Sequence, residues 1–323
     1  MTSANPTITA IDYHLGRLEP LDSLARSPEE TDAVNTLTAL GMQTYSRSEL
    51  RTADMAAAAM CKTLERARIA PDAVQAVVFA TESLWDFEPP DVRRRDNSRK
   101  FRQDIYKAIW EVGLTRAYPY GVMFSGCGNL VTAIDTAANL VRAQGLENVL
   151  VVVSDRQAPD TTRIMFPAVG VVSDAAAACV VTSRPVAGFA VDDLVLHSNL
   201  GLWEADIEGD FGRFLVEMAR GLKDLGHKMV AASGRAPSAY KYFLPNNYSR
   251  STLRVFCHQL GYQQSQLFLD NVPRVSHTYA ADVLINLFEL EAKGLVAAGD
   301  RVMALTSGPA TWGMIGLSRQ AAR

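Results

Sequence analysis

Short, almost uninterrupted apolar runs constrain this chain more than any other feature: AVVFA at 76–80 and VLVVVS at 149–154 carry no solvent-facing alternation. A strand wet on one face alternates apolar and polar residues, so a strand that is apolar throughout must be covered on both faces. The pattern predicts strands over TITAIDYHL, AVQAVVFATES, YPYGVMF, NVLVVVSD and AAAACVVTS, with helices over DMAAAAMCKTLERARI, KFRQDIYKAIWEVG and GNLVTAIDTAANLVRAQG. The alternation then returns. FAVDDLVLHS, YKYFLPN, RVMALTSG and TWGMIGLSR read as strands, and FGRFLVEMARGLKDLGHKMV, SRSTLRVFCHQLG and DVLINLFELEAKGLV as helices. This is an α/β chain of two βα halves, with helices between and outside the sheets. The break falls in SRPVAG, where Pro185 and Gly188 interrupt both periods, giving halves 1–185 and 186–323.

Composition excludes several classes. The 323 residues are 48% hydrophobic and 21% charged, which is ordinary for a globular chain with a large core. The net charge of −3, from 32 basic and 35 acidic residues, leaves no footprint for nucleic acid. The stretch DVRRRDNSRKFRQ, with Arg93, Arg94, Arg95, Arg99, Lys100 and Arg102, reads first as a solvated face and otherwise as a docking patch for an acidic partner. No basic segment leads into an apolar core at the N-terminus, and no run approaches the ~18 apolar residues of a membrane span, so a cytoplasmic protein without membrane contact is expected. Four scattered cysteines form no CxxC pair and no zinc spacing.

One of those cysteines sits differently from the others. Cys61, Cys179 and Cys257 lie inside apolar runs, as small hydrophobes do. Cys127, in FSGCGNL, lies between glycines at a strand-to-helix turn, where another molecule can approach the backbone. The free N–H groups opening the helix would favour a thiolate or an oxyanion there. His14, His197, His227 and His258 are scattered and read as surface or satisfied core residues.

The element order, the cysteine turn, VLVVVSDR, VVSDAAAACVV and the closing RVMALTSGPATWGMIGLS together give a specific likeness. The chain resembles the thiolase fold, specifically the ketoacyl-ACP synthase III branch, over essentially its whole length. SGCGNL matches that branch's AACAGF-type turn at Cys127, Ser173 to Ala176 its GDGA segment, and Ser307 to Met314 its GGGFTWGS ending. The resemblance implies a five-layered α-β-α-β-α core and a homodimer. The departures bear on chemistry. Asn246, in PNNYS, stands where condensing members carry the histidine of a PHQAN-type motif, and His277, in SHTYAAD, stands where they carry the asparagine of a GNTSAA-type motif. Ser307 occupies the region where thiolases proper carry a second cysteine. A histidine followed five residues later by an aspartate, His277 and Asp282, together with Cys127, is similar to the acyltransferase group of this branch, the cervimycin-type malonyl transferases and acyl-shuttling enzymes of natural-product pathways.

Two-step acyl transfer needs a nucleophile that takes the acyl group from a thioester and a base that activates the acceptor. Cys127 suits the first task. His277 is expected to draw the thiol proton and later the acceptor's proton, with Asp282 orienting the ring. If YAADVLINLFELEAKG is helical from its start, Asp282 turns partly away, and the SHT loop must bend back or the pair must bond through water. Backbone N–H groups of Cys127 and, by the resemblance, Gly308 beside Ser307 are expected to hold the oxyanion. Asn246 is expected to hold a water or the substrate carbonyl; its other reading is a helix cap in company with Ser249. Trp85 and Phe87, in LWDFEPP, line an acyl pocket or a subunit interface, or simply pack.

The region VNTLTALGMQTYSRSEL lacks the tryptophan on which CoA-using members stack adenine, which favours an acyl carrier protein over CoA as donor, docked at Arg250 and Arg254. The phosphopantetheine thioester is then a co-substrate, with no cofactor or metal expected. A carbon–carbon bond-forming condensing enzyme and an inactive partner subunit are the alternatives.

Overall fold

The structure, a computed structural model, describes residues 5–87, 97–202 and 210–321, with the side chains of 97–101 and 211 outside the description. In chain order the strands are β1 (Thr7–Leu15), β2 (Arg17–Pro20), β3 (Thr44–Arg47), β4 (Ala76–Ala80), β5 (Tyr118–Val122), β6 (Asn148–Asp155), β7 (Ile164–Met165), β8 (Gly170–Val171), β9 (Ala175–Thr182), β10 (Gly188–Ser198), β11 (Tyr242–Leu244), β12 (Arg301–Ser307) and β13 (Thr311–Gln320). The helices longer than four residues are α1 (Pro28–Ala39), α2 (Thr52–Ala67), α3 (Asn97–Glu111), α4 (Asn129–Gln144), α5 (Phe211–Ser233), α6 (Arg250–Leu260) and α7 (Asp282–Ala292).

Two half-sheets repeat one plan. In the first, β5 and β6 flank β4 in parallel, β9 runs antiparallel to β6, and β1 antiparallel to β9. In the second, β11 and β12 are parallel, β13 is antiparallel to β12, and β10 antiparallel to β13. The place of β5 is taken by a single parallel bridge from Phe243 to Leu267. A short antiparallel pairing, Thr7 with Ala190 and Ile8 with Phe189, joins the halves edge to edge.

Both faces of each half-sheet are covered, as the apolar runs require. Ala76, Val78 and Ala80 of β4 face a central core, shared with α4, α7 and the second half-sheet. Their neighbours Val77 and Phe79 face an outer core under α2 and α3. On the far side Phe243, Met303, Leu305, Trp312 and Met314 pack against α1, α5 and α6. The result is five layers, α-β-α-β-α. α4 is central to it: Leu130, Val131, Ile134, Leu140 and Val141 are all buried, each contributing about 1.5–3 kcal/mol of apolar transfer. It ends where Gly145 enters the left-handed region at φ +67° and donates its N–H to Leu140 O.

The antiparallel pair of β2 and β3, the pair β7 and β8, and α1 were not apparent from the apolar pattern. β2 reads RLEP and is largely exposed, so it has no buried face to write a period into the sequence. Arg93, Arg94 and Arg95 and the side chains of Arg99 and Lys100 lie outside the described residues; Arg102 is exposed on α3.

Candidate active site

Cys127 is raised to the centre of the molecule by the strand–turn–helix unit of β5 and α4. Gly126 turns at φ +54°, a conformation that β-carbon-bearing residues rarely adopt, and a Cβ there would meet Pro309 at 3.0 Å and Glu82 Oε2 at 3.3 Å. The turn is closed by Gly128 N–H donating to Ser125 O at 2.8 Å, and Asn129 Oδ1 accepts Ser125 N–H at 3.0 Å.

His277 arrives from the second half. Its N–H donates to Val171 O at 2.9 Å and its carbonyl accepts Ser173 N–H at 2.7 Å, so the residue lies as an extra bridge against Val172. Ser276 and Tyr279, on either side, hold φ values of +53° and +55°, strained for residues with side chains and a common mark of functional turns. That turn resolves the five-residue offset. α7 begins only at Asp282, after a 3-10 turn at Tyr279–Ala281, and His277 Nδ1 meets Asp282 Oδ2 directly at 2.5 Å. His277 Nε2 then lies 3.3 Å from Cys127 Sγ. The rings of Tyr248 and Tyr279 flank the imidazole at 4.7 and 5.7 Å between centroids.

Asp282 is fully buried and surrounded by donors. Thr278 N–H and Oγ1 reach Oδ1 at 2.7 and 2.6 Å, with Asn247 Nδ2 at 3.1 Å; Asn247 N–H and Asn246 Nδ2 reach Oδ2 at 2.8 and 3.3 Å. A carboxylate so supplied orients the ring and opposes the charge of an imidazolium.

The thiol itself departs from expectation. Burial, followed by the charge and hydrogen bond of Glu82, holds the Cys127 pKa well above the usual thiol range, with Asp155 and Asp282 adding to the effect. The helix N-terminus therefore does not make a standing thiolate, and any attack by this sulfur would require its deprotonation. Cys127 Sγ donates to Glu82 Oε1 at 3.1 Å, and Glu82 N–H donates to Asp155 Oδ1 at 2.7 Å. Glu82, Asp155, Tyr248 and Tyr279 were missed in the sequence. A lone glutamate after a strand resembles any solvated loop residue, and only the tertiary fold brings it to the sulfur.

Other expectations need correction. Gly308 N–H donates to Thr311 O at 2.8 Å within the β12–β13 hairpin, so it is spent in the turn and not held out for an oxyanion. Gly308 instead permits close packing, since a Cβ there would sit 2.4 Å from Ser125 O. Asn246 is likewise engaged at both ends: Nδ2 donates to Tyr279 O at 3.1 Å as well as to Asp282, and Oδ1 accepts Ser307 N–H at 2.8 Å. It braces the histidine loop and does not present its amide to a water or substrate carbonyl. Nor does it cap α6, whose N-cap residue is Ser249. Ser307 is buried, and the Tyr248 hydroxyl contacts its O and Oγ at 3.1 and 3.2 Å. Phe87 is only 2% exposed and packs on Phe79 in the outer core. Trp85 lies under the Arg156 guanidinium, 5.3 Å from its ring centre. Arg250 and Arg254 are exposed one turn apart on α6, away from the contacts of Cys127 and His277.

Comparison with known proteins bears on this arrangement. Residues 123–200 match the model of 3-oxoacyl-[acyl-carrier-protein] synthase III, and residues 230–317 match the model of its C-terminal part. The chain belongs to this family of thiolase-fold enzymes. The first of these segments contains Cys127 and the second contains Asn246, His277 and Asp282. A β-ketoacyl-[acyl-carrier-protein] synthase III 2 of Vibrio vulnificus strain CMCP6 is 21% identical over 301 residues, covering 85% of this chain and 78% of the relative. Among solved structures, ChlB3, an acyltransferase, superposes with a TM-score of 0.80 at 17% identity, covering 98% of each chain. The 3-oxoacyl-(acyl carrier protein) synthase III of Pseudomonas aeruginosa PAO1 gives 0.78 at 17% identity, covering 99% of each. The priming β-ketosynthase of the R1128 polyketide pathway gives 0.75 at 18%, covering 99% of this chain and 98% of that one. Among the described residues, no helix is long and apolar enough to cross a membrane.

Proposed function

We propose that this synthase III family member is a cytoplasmic acyltransferase of secondary-metabolite biosynthesis, in which Cys127 takes an acyl group from a carrier-bound thioester and passes it to a hydroxyl, amine or carrier thiol. Residues 1–185 supply the nucleophile and 186–323 the base that serves the acceptor. The observation that carries this reading is the direct relay from Cys127 Sγ to His277 Nε2 at 3.3 Å and from His277 Nδ1 to Asp282 at 2.5 Å. A histidine so oriented can take the proton of an acceptor as it attacks the acyl carbonyl, and return it to the departing Cys127 sulfur. Condensation by the family's histidine–asparagine pair would need an asparagine amide turned toward the substrate carbonyl, and that of Asn246 is committed to Tyr279, Asp282 and Ser307.

The likeness to the acyltransferase ChlB3 supports the same reading. A polar cleft of about 190 Å³, lined by Arg26, Arg47, Arg156, Gln157 and Arg163, adjoins the site through the Tyr279 hydroxyl, which donates to Gln157 Oε1. It suits the phosphopantetheine arm, with the acidic carrier held by Arg250 and Arg254. β5 is an outer edge of the sheet, and Tyr118 on it is 66% exposed, which supports a homodimer closing that edge.

The test is a panel of acyl-charged carrier proteins and acyl-CoA thioesters, read by intact mass of the enzyme and peptide mapping of the adduct. An acyl adduct on Cys127 that disappears when hydroxyl, amine or thiol acceptors are added, with acylated acceptor formed, is the expected result. Absence of any Cys127 adduct across the panel overturns the proposal.

A further inference from the structure

Cys127 Sγ faces two proton carriers, Glu82 Oε1 at 3.1 Å and His277 Nε2 at 3.3 Å, and they come from opposite halves of the molecule. A single base suffices for one deprotonation, whereas two-step acyl transfer moves two different protons: that of the cysteine thiol, then that of the acceptor. We propose that Glu82 is a catalytic residue for the first half-reaction, taking the Cys127 thiol proton and giving it to the leaving thiol, while His277 serves the second. This rests on the acyl-transfer reading and deepens it.

The atoms balance at each stage. As Sγ bonds to the donor carbonyl carbon, its proton passes to Glu82 Oε1. Collapse of the tetrahedral intermediate breaks the donor's carbon–sulfur bond, and the Glu82 proton goes to the leaving phosphopantetheine sulfur. Glu82 is a carboxylate again, and the products are acyl-Cys127 and a free thiol. His277 has exchanged no proton, and its Nε2 is ready for the acceptor.

The surroundings of Glu82 fit that duty. Asp155 Oδ1 fixes the Glu82 loop by accepting Glu82 N–H at 2.7 Å, Ser83 N–H at 3.1 Å, Thr81 Oγ1 at 2.9 Å and Ser83 Oγ at 3.1 Å. Its other oxygen, Oδ2, is buried without a hydrogen-bond partner among the described residues. Burial, then the Glu82 charge, raises Asp155 to about 8, so at neutral pH it carries a proton. The groups acting on the thiol are thus Glu82, Asp155 and Asp282, with His277 and the neutral hydroxyls of Tyr248 and Tyr279 close by.

The experiment compares wild type, Glu82→Gln and Glu82→Asp in three measurements: acylation of Cys127 by charged carrier, transfer from fully loaded enzyme to acceptor, and the pH profile of Cys127 alkylation by iodoacetamide. Glu82→Gln keeps the acceptor oxygen but loses basicity. Its acylation should fall roughly a hundredfold, transfer should stay within a few-fold of wild type, and the alkylation profile should move to lower pH because the charge that raises the thiol is gone. Glu82→Asp should recover part of the acylation rate. Wild-type acylation by Glu82→Gln overturns the inference. Equal loss in both half-reactions overturns the division of labour, and slowed acylation with an unshifted alkylation profile reduces Glu82 to a structural part. Wild type that never loads Cys127 defeats the acyl-transfer reading itself, a result distinct from all of these.

Discussion

The two halves of this molecule use one topology for opposite chemistry. In the first, β4 and β5 lead to the Cys127 turn and α4; in the second, β11 and the Leu267 bridge lead to the His277 turn and α7. The residues at the strand ends behind these turns differ in chemistry. At the end of β6, Asp155 gathers four donors from the loop that follows β4. At the end of β12, Ser307 donates its N–H to Asn246, in the loop that follows β11. The first half thus holds a thiol beside a carboxyl pair, and the second an imidazole beside a carboxylate filled with donors. The repeated topology supplies the meeting point, and the polar residues at its equivalent loops differ, as the proposed division of labour requires.

The harshest way to break the comparison is to remove the nucleophile. Cys127→Ala should abolish covalent acylation, while Cys61→Ala, Cys179→Ala and Cys257→Ala still load, with stability losses at the buried positions; intact mass reads the result. Loading that persists in Cys127→Ala sinks the mechanism. Removing the base from the other half should spare that step. His277→Ala should form acyl-Cys127 yet transfer it roughly a hundredfold or more slowly, measured by chase of loaded enzyme with acceptor.

A smaller effect separates bracing from chemistry. Asn246→Ala leaves Ser307 N–H and Tyr279 O buried without their partner, at a cost of about 1–3 kcal/mol each in unmet hydrogen bonding, and should lower the denaturation midpoint while the folded fraction still loads and transfers. A large rate loss at unchanged stability would return Asn246 to a direct catalytic role. The mildest probe is pH. Asp155 ionises near 8 when folded and near ~3.9 when unfolded, so the folded state binds the extra proton between those values and stability falls as pH rises through that window. Asp155→Asn keeps an acceptor for the loop donors and removes the titration. Urea midpoints measured from pH 5 to 8 should decline less steeply in the variant, and parallel slopes would reject the protonated Asp155.

Much of this was legible in the sequence because burial writes periodicity. β6 and β9 are buried at every position, and the runs NVLVVVSD and AAAACVVT mark them almost to the residue. Cys127, His277 and Asp282 were found by motif, yet the way they meet was not: a helix drawn from Tyr279 would have swung Asp282 aside, whereas the 3-10 turn starts α7 at Asp282 itself. Gly308 was misjudged because a turn hydrogen bond leaves no trace in composition. Glu82 was invisible for the opposite reason, since its partner lies 45 residues away in the chain and meets it only through parallel pairing of β4 and β5.

The most direct test of acyl transfer against condensation is the fate of the malonyl group. Wild-type enzyme is mixed with malonyl-charged carrier and the acceptor found in the panel, with carbon dioxide release and product mass followed together. The account predicts that any malonyl group handled is moved intact, with no carbon dioxide released and no acyl chain lengthened. Carbon dioxide release matched by a lengthened chain, and abolished in both Asn246→Ala and His277→Ala, would contradict it and make this protein a condensing enzyme.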